Sequence, residues 1–270
     1  MWVIGGYGEG AVNLNDVWSS ADGITWIQFT ANAAFSARHA HTSLVFNNKM
    51  WVIGGWDGTK CNNDVWSSSD GVTWIQITPN AAFPPRYLHS SVVFGNKMWV
   101  IGGTPWFGGS TSYNDVWYST DGANWTQATP SAAFSKRYSH SSLVFNNKMW
   151  LIGGYDSTNY YNDVWYSSNG ITWTQVQENA AFSRRSDHSN LVYDNKIWII
   201  GGGLNYTGFT NDVWYSRDGA TWTQVTPSAA FSPRDQHSSI VLNNRIWVIG
   251  GWNNATTCFS DVWTCRPSRF

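Results

Sequence analysis

Apolar and polar positions along this chain fall into short blocks, with no helical stripe. Runs of four to six residues rich in Val, Ile, Trp and Phe alternate with clusters of Gly, Asn, Asp and Ser, the pattern of β-strands between turns. One stretch shows the unit. His41-Thr42-Ser43-Leu44-Val45-Phe46 reads as a first strand and Asn47-Asn48 as its turn. Lys49-Met50-Trp51-Val52-Ile53 reads as a second strand, ended by Gly54-Gly55. After a variable loop, Asp64-Val65-Trp66-Ser67-Ser68 is a third strand. Asp70-Gly71 predicts a two-residue hairpin turn, since both residues tolerate positive φ, and Thr73-Trp74-Ile75-Gln76-Ile77 is a fourth strand. The core runs are nearly continuous rather than alternating, as expected of sheets covered on both faces.

The unit repeats. A Gly-Gly pair follows an apolar run at residues 5, 54, 102, 153, 201 and 250, at spacings of 49, 48, 51, 48 and 49. The expected architecture is one all-β domain over 1–270, a β-propeller of six blades of mostly four antiparallel strands. The blades are predicted at 1–30, 38–78, 86–129, 137–177, 185–226 and 234–265. The first and last blades each lack a strand, which gives 22 strands where six full blades need 24. The tail from Arg266 to Phe270 is too short to cross a blade and then pair. A five-blade ring, with strand 237–242 closing the first blade, is the alternative.

Of 20 tryptophans, 17 recur at three repeat positions: before Gly-Gly, after Asp-Val in the third strand, and in the fourth strand. Indoles that each bury roughly 200 Å² read as blade-to-blade packing rather than sugar platforms. The double glycines, the aromatic before them, the fourth-strand Trp and an Arg-x-x-His opening the first strand resemble the kelch-repeat family over nearly the whole chain. The third-strand Tyr common in that family is replaced here by Trp. Ser20-Ala21-Asp22-Gly23-Ile24-Thr25-Trp26 is similar to the Asp-box of sialidases, where it is a turn stabiliser distant from the active site.

The segments after Gly-Gly vary in length and content, so specificity is expected there. They carry the three non-repeating tryptophans, Trp56, Trp106 and Trp252, and other aromatics, including Tyr7, Phe107, Tyr160, Tyr206 and Phe209. The kelch resemblance implies ligand contacts just after Gly-Gly and just after the first-strand Arg, facing a central channel. Carried over by position these are Tyr7, Trp56, Thr104, Tyr155, Gly203 and Trp252, with His39, Tyr87, Tyr138, Ser186 and Asp235. The leading expectation is non-catalytic binding of a protein or peptide at this face. Glycan binding through Trp56, Trp106 and Trp252 is the alternative. Repeats this alike also fit recent duplication or design, with no natural ligand.

Chemistry and charge narrow the choice. The formal net charge is -1 with 12% charged residues, so no basic footprint for nucleic acid exists, and no apolar run spans a bilayer. The incomplete first and last blades offer edges for self-association. Five histidines in register, His41, His89, His140, His188 and His237, each follow an arginine by three residues. A metal ring is one reading; hydrogen bonding to the inner-strand backbone is the stronger, and no metal or other cofactor is expected. The repeated arginines suit pairing with Asp16, Asp64, Asp115, Asp163, Asp212 and Asp261. Paired catalytic carboxylates could be drawn from Asp57, Asp156, Asp187 and Asp235, but nothing in the sequence singles them out. Galactose-oxidase-like copper chemistry lacks its unique Tyr, His and Cys partners, and Cys61 and Cys258 read as loop residues. Cys258 and Cys265, roughly 23 Å apart if extended, are expected to stay free thiols, as is Cys61.

Overall fold

The computed structural model describes residues 1–106, 111–205, 208–253 and 258–266, so Phe107, Tyr206 and the last four residues of the tail lie outside it. Among the described residues every regular element is a strand. Two compact units emerge from the packing: Met1–Ala21, Thr25–Tyr138 and Asn169–Thr172, and then Asp22–Ile24, Ser139–Ser168 and Trp173–Phe270.

The strands of the first unit form three antiparallel sheets. β1 (Trp2–Gly8), β2 (Val12–Ser19) and β3 (Ile27–Thr30) make the first. β4 (Thr42–Phe46), β5 (Lys49–Trp56), β6 (Cys61–Ser68) and β7 (Ile75–Thr78) make the second. β8 (Ser90–Phe94), β9 (Lys97–Gly103), β10 (Tyr113–Ser119) and β11 (Thr126–Thr129) make the third.

The second unit repeats the plan. Its sheets are β12 (Ser141–Phe145), β13 (Lys148–Tyr155), β14 (Tyr160–Ser167) and β15 (Thr174–Gln177), then β16 (Ser189–Tyr193), β17 (Lys196–Asn205), β18 (Gly208–Ser216) and β19 (Trp222–Thr226). The last holds β20 (Ser238–Leu242), β21 (Arg245–Ile249) and β22 (Val262–Cys265). The fold is an all-β propeller of six blades, three-stranded at the first and last. The five-blade alternative fails because β20 pairs with β21 in its own blade, from Ser238↔Ile249 to Leu242↔Arg245.

The first hairpin of each blade follows from its turn residues. Asn47 and Asn48 have φ of 49° and 57°, the double left-handed geometry that matches the twist of the flanking strands. The second hairpin departs from expectation. Only Gly71 of Asp70-Gly71 has positive φ, and the loop covers residues 69–74. The Asp70 carboxylate accepts the Thr73 and Val72 N–H groups at 2.8 and 2.9 Å, and Ser68 Oγ accepts the Gly71 N–H at 2.8 Å. These side-chain acceptors replace the two-residue turn. Trp74 therefore lies in the turn, before β7, with Nε1 donating to the Gly71 carbonyl.

Packing joins consecutive blades inside each unit. Trp51 clusters with Ile53, Val65, Met98, Val100 and Trp125 in the first, and Trp150 with Ile152, Val164, Ile197, Ile199 and Trp222 in the second. Trp2, Trp51, Trp99 and Trp150 each support the Asp-box turn of the following blade. A Cβ placed on Gly122 would lie 2.2 Å from the Trp51 ring, and one on Gly219 would lie 2.1 Å from the Trp150 ring. The recurring indoles are thus packing elements, as their repetition implied.

Candidate binding face

The frame of this face is a buried arginine in each blade that begins with an inner strand. Arg38 donates from Nη1 to the Gly54 carbonyl at 2.9 Å, and from Nη1 and Nη2 to the two oxygens of Asp64 at 2.6 and 2.9 Å. Arg86 does the same to Gly102 and Asp115, Arg185 to Gly201 and Asp212, and Arg234 to Gly250 and Asp261. One guanidinium therefore ties the incoming chain, the double glycine of the second strand and the Asp of the third. The planar fork explains why arginine serves here. The expected Arg–Asp pairing is present and internal. Beside Asp64, Asp115 and Asp212 an asparagine clips the linker that leaves the blade: Asn63 Nδ2 donates to the carbonyls of Ala81 and Phe83, Asn114 Nδ2 to those of Ala132 and Phe134, and Asn211 Nδ2 to those of Ala229 and Phe231. Sequence reading overlooked this asparagine, although its Asn-Asp repetition was visible.

The residues next in line after the arginines meet those after Gly-Gly. His39 pairs with Trp56 and Tyr87 with Thr104 in the first unit, and Ser186 with Gly203 and Asp235 with Trp252 in the second, each as a short antiparallel bridge. These eight positions therefore come together in pairs. Their accessibility differs sharply. Tyr7 is 47% exposed and Trp106 62%, while Trp56, His39, Tyr138 and Trp252 are half-buried. Tyr87, Thr104, Tyr155, Ser186 and Asp235 are buried. The strands also run further than expected: β5 reaches Trp56 and β6 starts at Cys61, which leaves only residues 57–60 as loop. Cys61 is a buried strand residue rather than a loop thiol, and all three cysteines are free.

On the first unit the face is aromatic. Trp56 meets Trp106 edge-on at 6.3 Å and Tyr87 at 6.1 Å, and Tyr7 leans on His39 at 5.0 Å. His39 Nδ1 is 2.6 Å from Asn13 Oδ1. On the second unit Tyr155 stacks with Tyr160 at 4.5 Å and Phe209 meets Trp252 edge-on at 6.0 Å.

The second unit also brings two carboxyls together. Asp187 and Gln236, with φ near 52°, carry the inner chain: the Asp187 N–H donates to the Ser139 carbonyl, and the Gln236 N–H to the Asp187 carbonyl, both at 2.9 Å. This stacking sets Asp235 of one blade beside Asp187 of the previous one. Burial pushes the Asp187 carboxyl up to about 6, against hydrogen bonds from Ser139 and Ser186. Burial and the neighbouring Asp187 charge push Asp235 up to about 8. Asp235 Oδ1 is buried without a hydrogen-bond partner. Asp57 and Asp156, the other candidate carboxylates, lock their own loops instead. Asp57 Oδ1 accepts the N–H groups of Thr59 and Lys60, and Asp156 Oδ1 those of Thr158 and Asn159.

The histidines meet hydroxyls of neighbouring inner strands. Nε2 of His89 is 3.0 Å from Thr42 Oγ1, that of His188 is 2.6 Å from Ser141 Oγ, and that of His237 is 2.8 Å from Ser189 Oγ. Burial, then the adjacent arginine, holds His41 down to about 4 and His237 to about 3, so the rings are neutral near pH 7. Among the described residues no group of three or more His, Cys, Asp or Glu is placed to hold a metal ion.

A comparison with curated proteins finds no match. The family model of the KLHDC2/KLHL20/DRC7 Kelch-repeats domain matches residues 1–131 and 89–269, which together span almost the whole chain. With the double glycines, the arginine–histidine openings and the packed tryptophans in place in blade after blade, the chain belongs to the kelch-repeat family of β-propellers.

Proposed function

We propose that this kelch propeller is a non-catalytic interaction module that binds a protein or peptide. Its contact surface is the aromatic cluster of Tyr7, His39, Trp56, Tyr87 and Trp106 on the first unit. Kelch-repeat propellers typically serve protein interaction. The observation that carries the reading is Trp106, a large apolar ring 62% exposed and set edge-on against Trp56. Aromatic side chains on a rigid base are the residues that dominate binding energy at protein interfaces. On the second unit Tyr155, Ser186, Asp235 and Trp252 occupy the same repeat positions, with Tyr138 as the matching residue of the first.

A glycan is the second reading, since an exposed indole edge-on to another also suits a sugar ring. Selection from a random peptide library displayed on phage, run beside a glycan array, tests both. The proposal expects enriched peptides whose binding is lost in Trp56→Ala and Trp106→Ala. Peptides that bind these variants as well as the parent, or no enriched peptide at all, would overturn it. Binding confined to glycans would replace it with the second reading.

A further inference from the structure

Among the described residues, Asp187 and Asp235 of the second unit form no ion pair. The arginines nearest them in the chain are committed elsewhere: Arg185 forks onto Asp212 and Arg234 onto Asp261. Asp235 is 7% exposed and its Oδ1 has no hydrogen-bond partner. A buried acceptor left unpaired is costly, so a native fold keeps one where something else uses it.

Further oxygens gather around the pair. Ser186 Oγ donates to Asp187 Oδ2 at 3.0 Å, and the Ser139 hydroxyl bonds the same carboxyl. Gly203 stands at the position where neighbouring blades carry Tyr155 and Trp252. A Cβ placed on it would fall 3.3 Å from Asp235 Oδ2 and 3.7 Å from Ser186 Oγ. A side chain here would crowd the carboxyl, and glycine leaves its approach open. Asp187 is only half-buried, which gives the pair a path to solvent.

We propose that Asp187, Asp235 and the Ser186 hydroxyl form a calcium site on the inner loops of the second unit. Two carboxylates balance the charge of a divalent ion, and an all-oxygen donor set suits a hard cation. The His188 and His237 rings turn to Ser141 and Ser189 instead. Buried donors leave little room for retained water, which favours calcium over magnesium, the ion that sheds water reluctantly. Water and the Ser139 hydroxyl complete a shell of about six to eight oxygens. Binding releases to solvent the proton that burial and the neighbouring charge keep on Asp235. Two carboxyls and hydroxyls carry the site, without a third acidic or histidine ligand. The inference does not rest on peptide binding.

Isothermal titration calorimetry of the full chain, stripped with EDTA, dialysed and titrated with calcium chloride, tests this. The expected result is one saturable site per chain with a Kd at or below about 10⁻³ M. Because protons compete for the same oxygens, binding should be at least about tenfold weaker at pH 6 than at pH 8.5. Asp187→Asn and Asp235→Asn should each weaken it by about tenfold or more, and Glu178→Gln, at an exposed carboxylate, should leave it unchanged. Circular dichroism confirms that the variants fold. A calcium-dependent rise in the Tm of the parent gives a readout that needs no variant. No saturable binding with calcium up to about 10 mM, or parental affinity in folded Asp235→Asn, would overturn the proposal. Magnesium bound as tightly as calcium would overturn the choice of ion.

Discussion

Replacing Arg185 with methionine removes one guanidinium and leaves its partners behind. Asp212 would keep a carboxylate with 9% side-chain exposure, after losing hydrogen bonds of 2.8 Å to each of its oxygens. The carbonyls of Gly201 and Ser183 would lose donors at 2.9 and 3.0 Å. Desolvation works against the charge of Asp212, yet the Arg185 hydrogen bonds hold its carboxyl below the ordinary range, so it stays ionised as built. Breaking a buried pair from one side costs about 3–5 kcal/mol. For a unit of this size that is a Tm decrease on the order of 10 °C. Arg185→Lys keeps the charge but has no planar fork to reach Asp212 and both carbonyls, and should fall between parent and methionine. Asp212→Asn alone should also destabilise. Combined with Arg185→Met it should cost less than the sum of the two, because no unpaired charge remains. Urea denaturation followed by circular dichroism measures the parent and all four variants. A methionine variant within about 1 kcal/mol of the parent, or strict additivity in the double variant, would refute the reasoning.

Two further outcomes follow from the geometry. Gly219→Ala places a methyl group 2.1 Å from the Trp150 ring at a φ of 76°, so it should destabilise by about 2 kcal/mol or more and lower Tm; an unchanged melting curve would mean that the turn does not rest on the indole. Asp235→Asn removes a carboxyl whose folded value lies above its unfolded one. Its stabilising contribution is complete below about pH 4 and is lost as pH rises through 8, so the Tm of the variant relative to the parent should climb between pH 5 and 9; a flat difference would show that burial does not hold the Asp235 carboxyl protonated.

Much of the architecture was written in one dimension. The Gly-Gly spacing set the number of blades, Asn-Asn set the first hairpin of the second, fourth and sixth, and the arginine and aspartate that recur in register proved to be the ion pairs Arg38–Asp64, Arg86–Asp115, Arg185–Asp212 and Arg234–Asp261. A repeat is legible because each blade solves the same packing problem with the same residues. Asp70-Gly71 was misread as a two-residue turn because the pair, seen alone, fits one. The side chain of Asp70 caps its own loop, and that depends on the Ser two positions before it.

The chain by itself determined strand content, blade count and the residues of the frame, since these depend on periodicity and on contacts between neighbours in sequence. Which of the face residues are open was decided only by tertiary structure. Tyr87 and Thr104 match His39 and Trp56 in position yet are buried: the Tyr87 ring lies 6.1 Å from that of Trp56, and Thr104 Oγ1 lies within hydrogen-bond distance of the Trp106 and Thr111 carbonyls of its own loop. The pairing of Asp187 with Asp235 arises from blades stacked through their inner backbones, and no spacing within a single repeat encodes it.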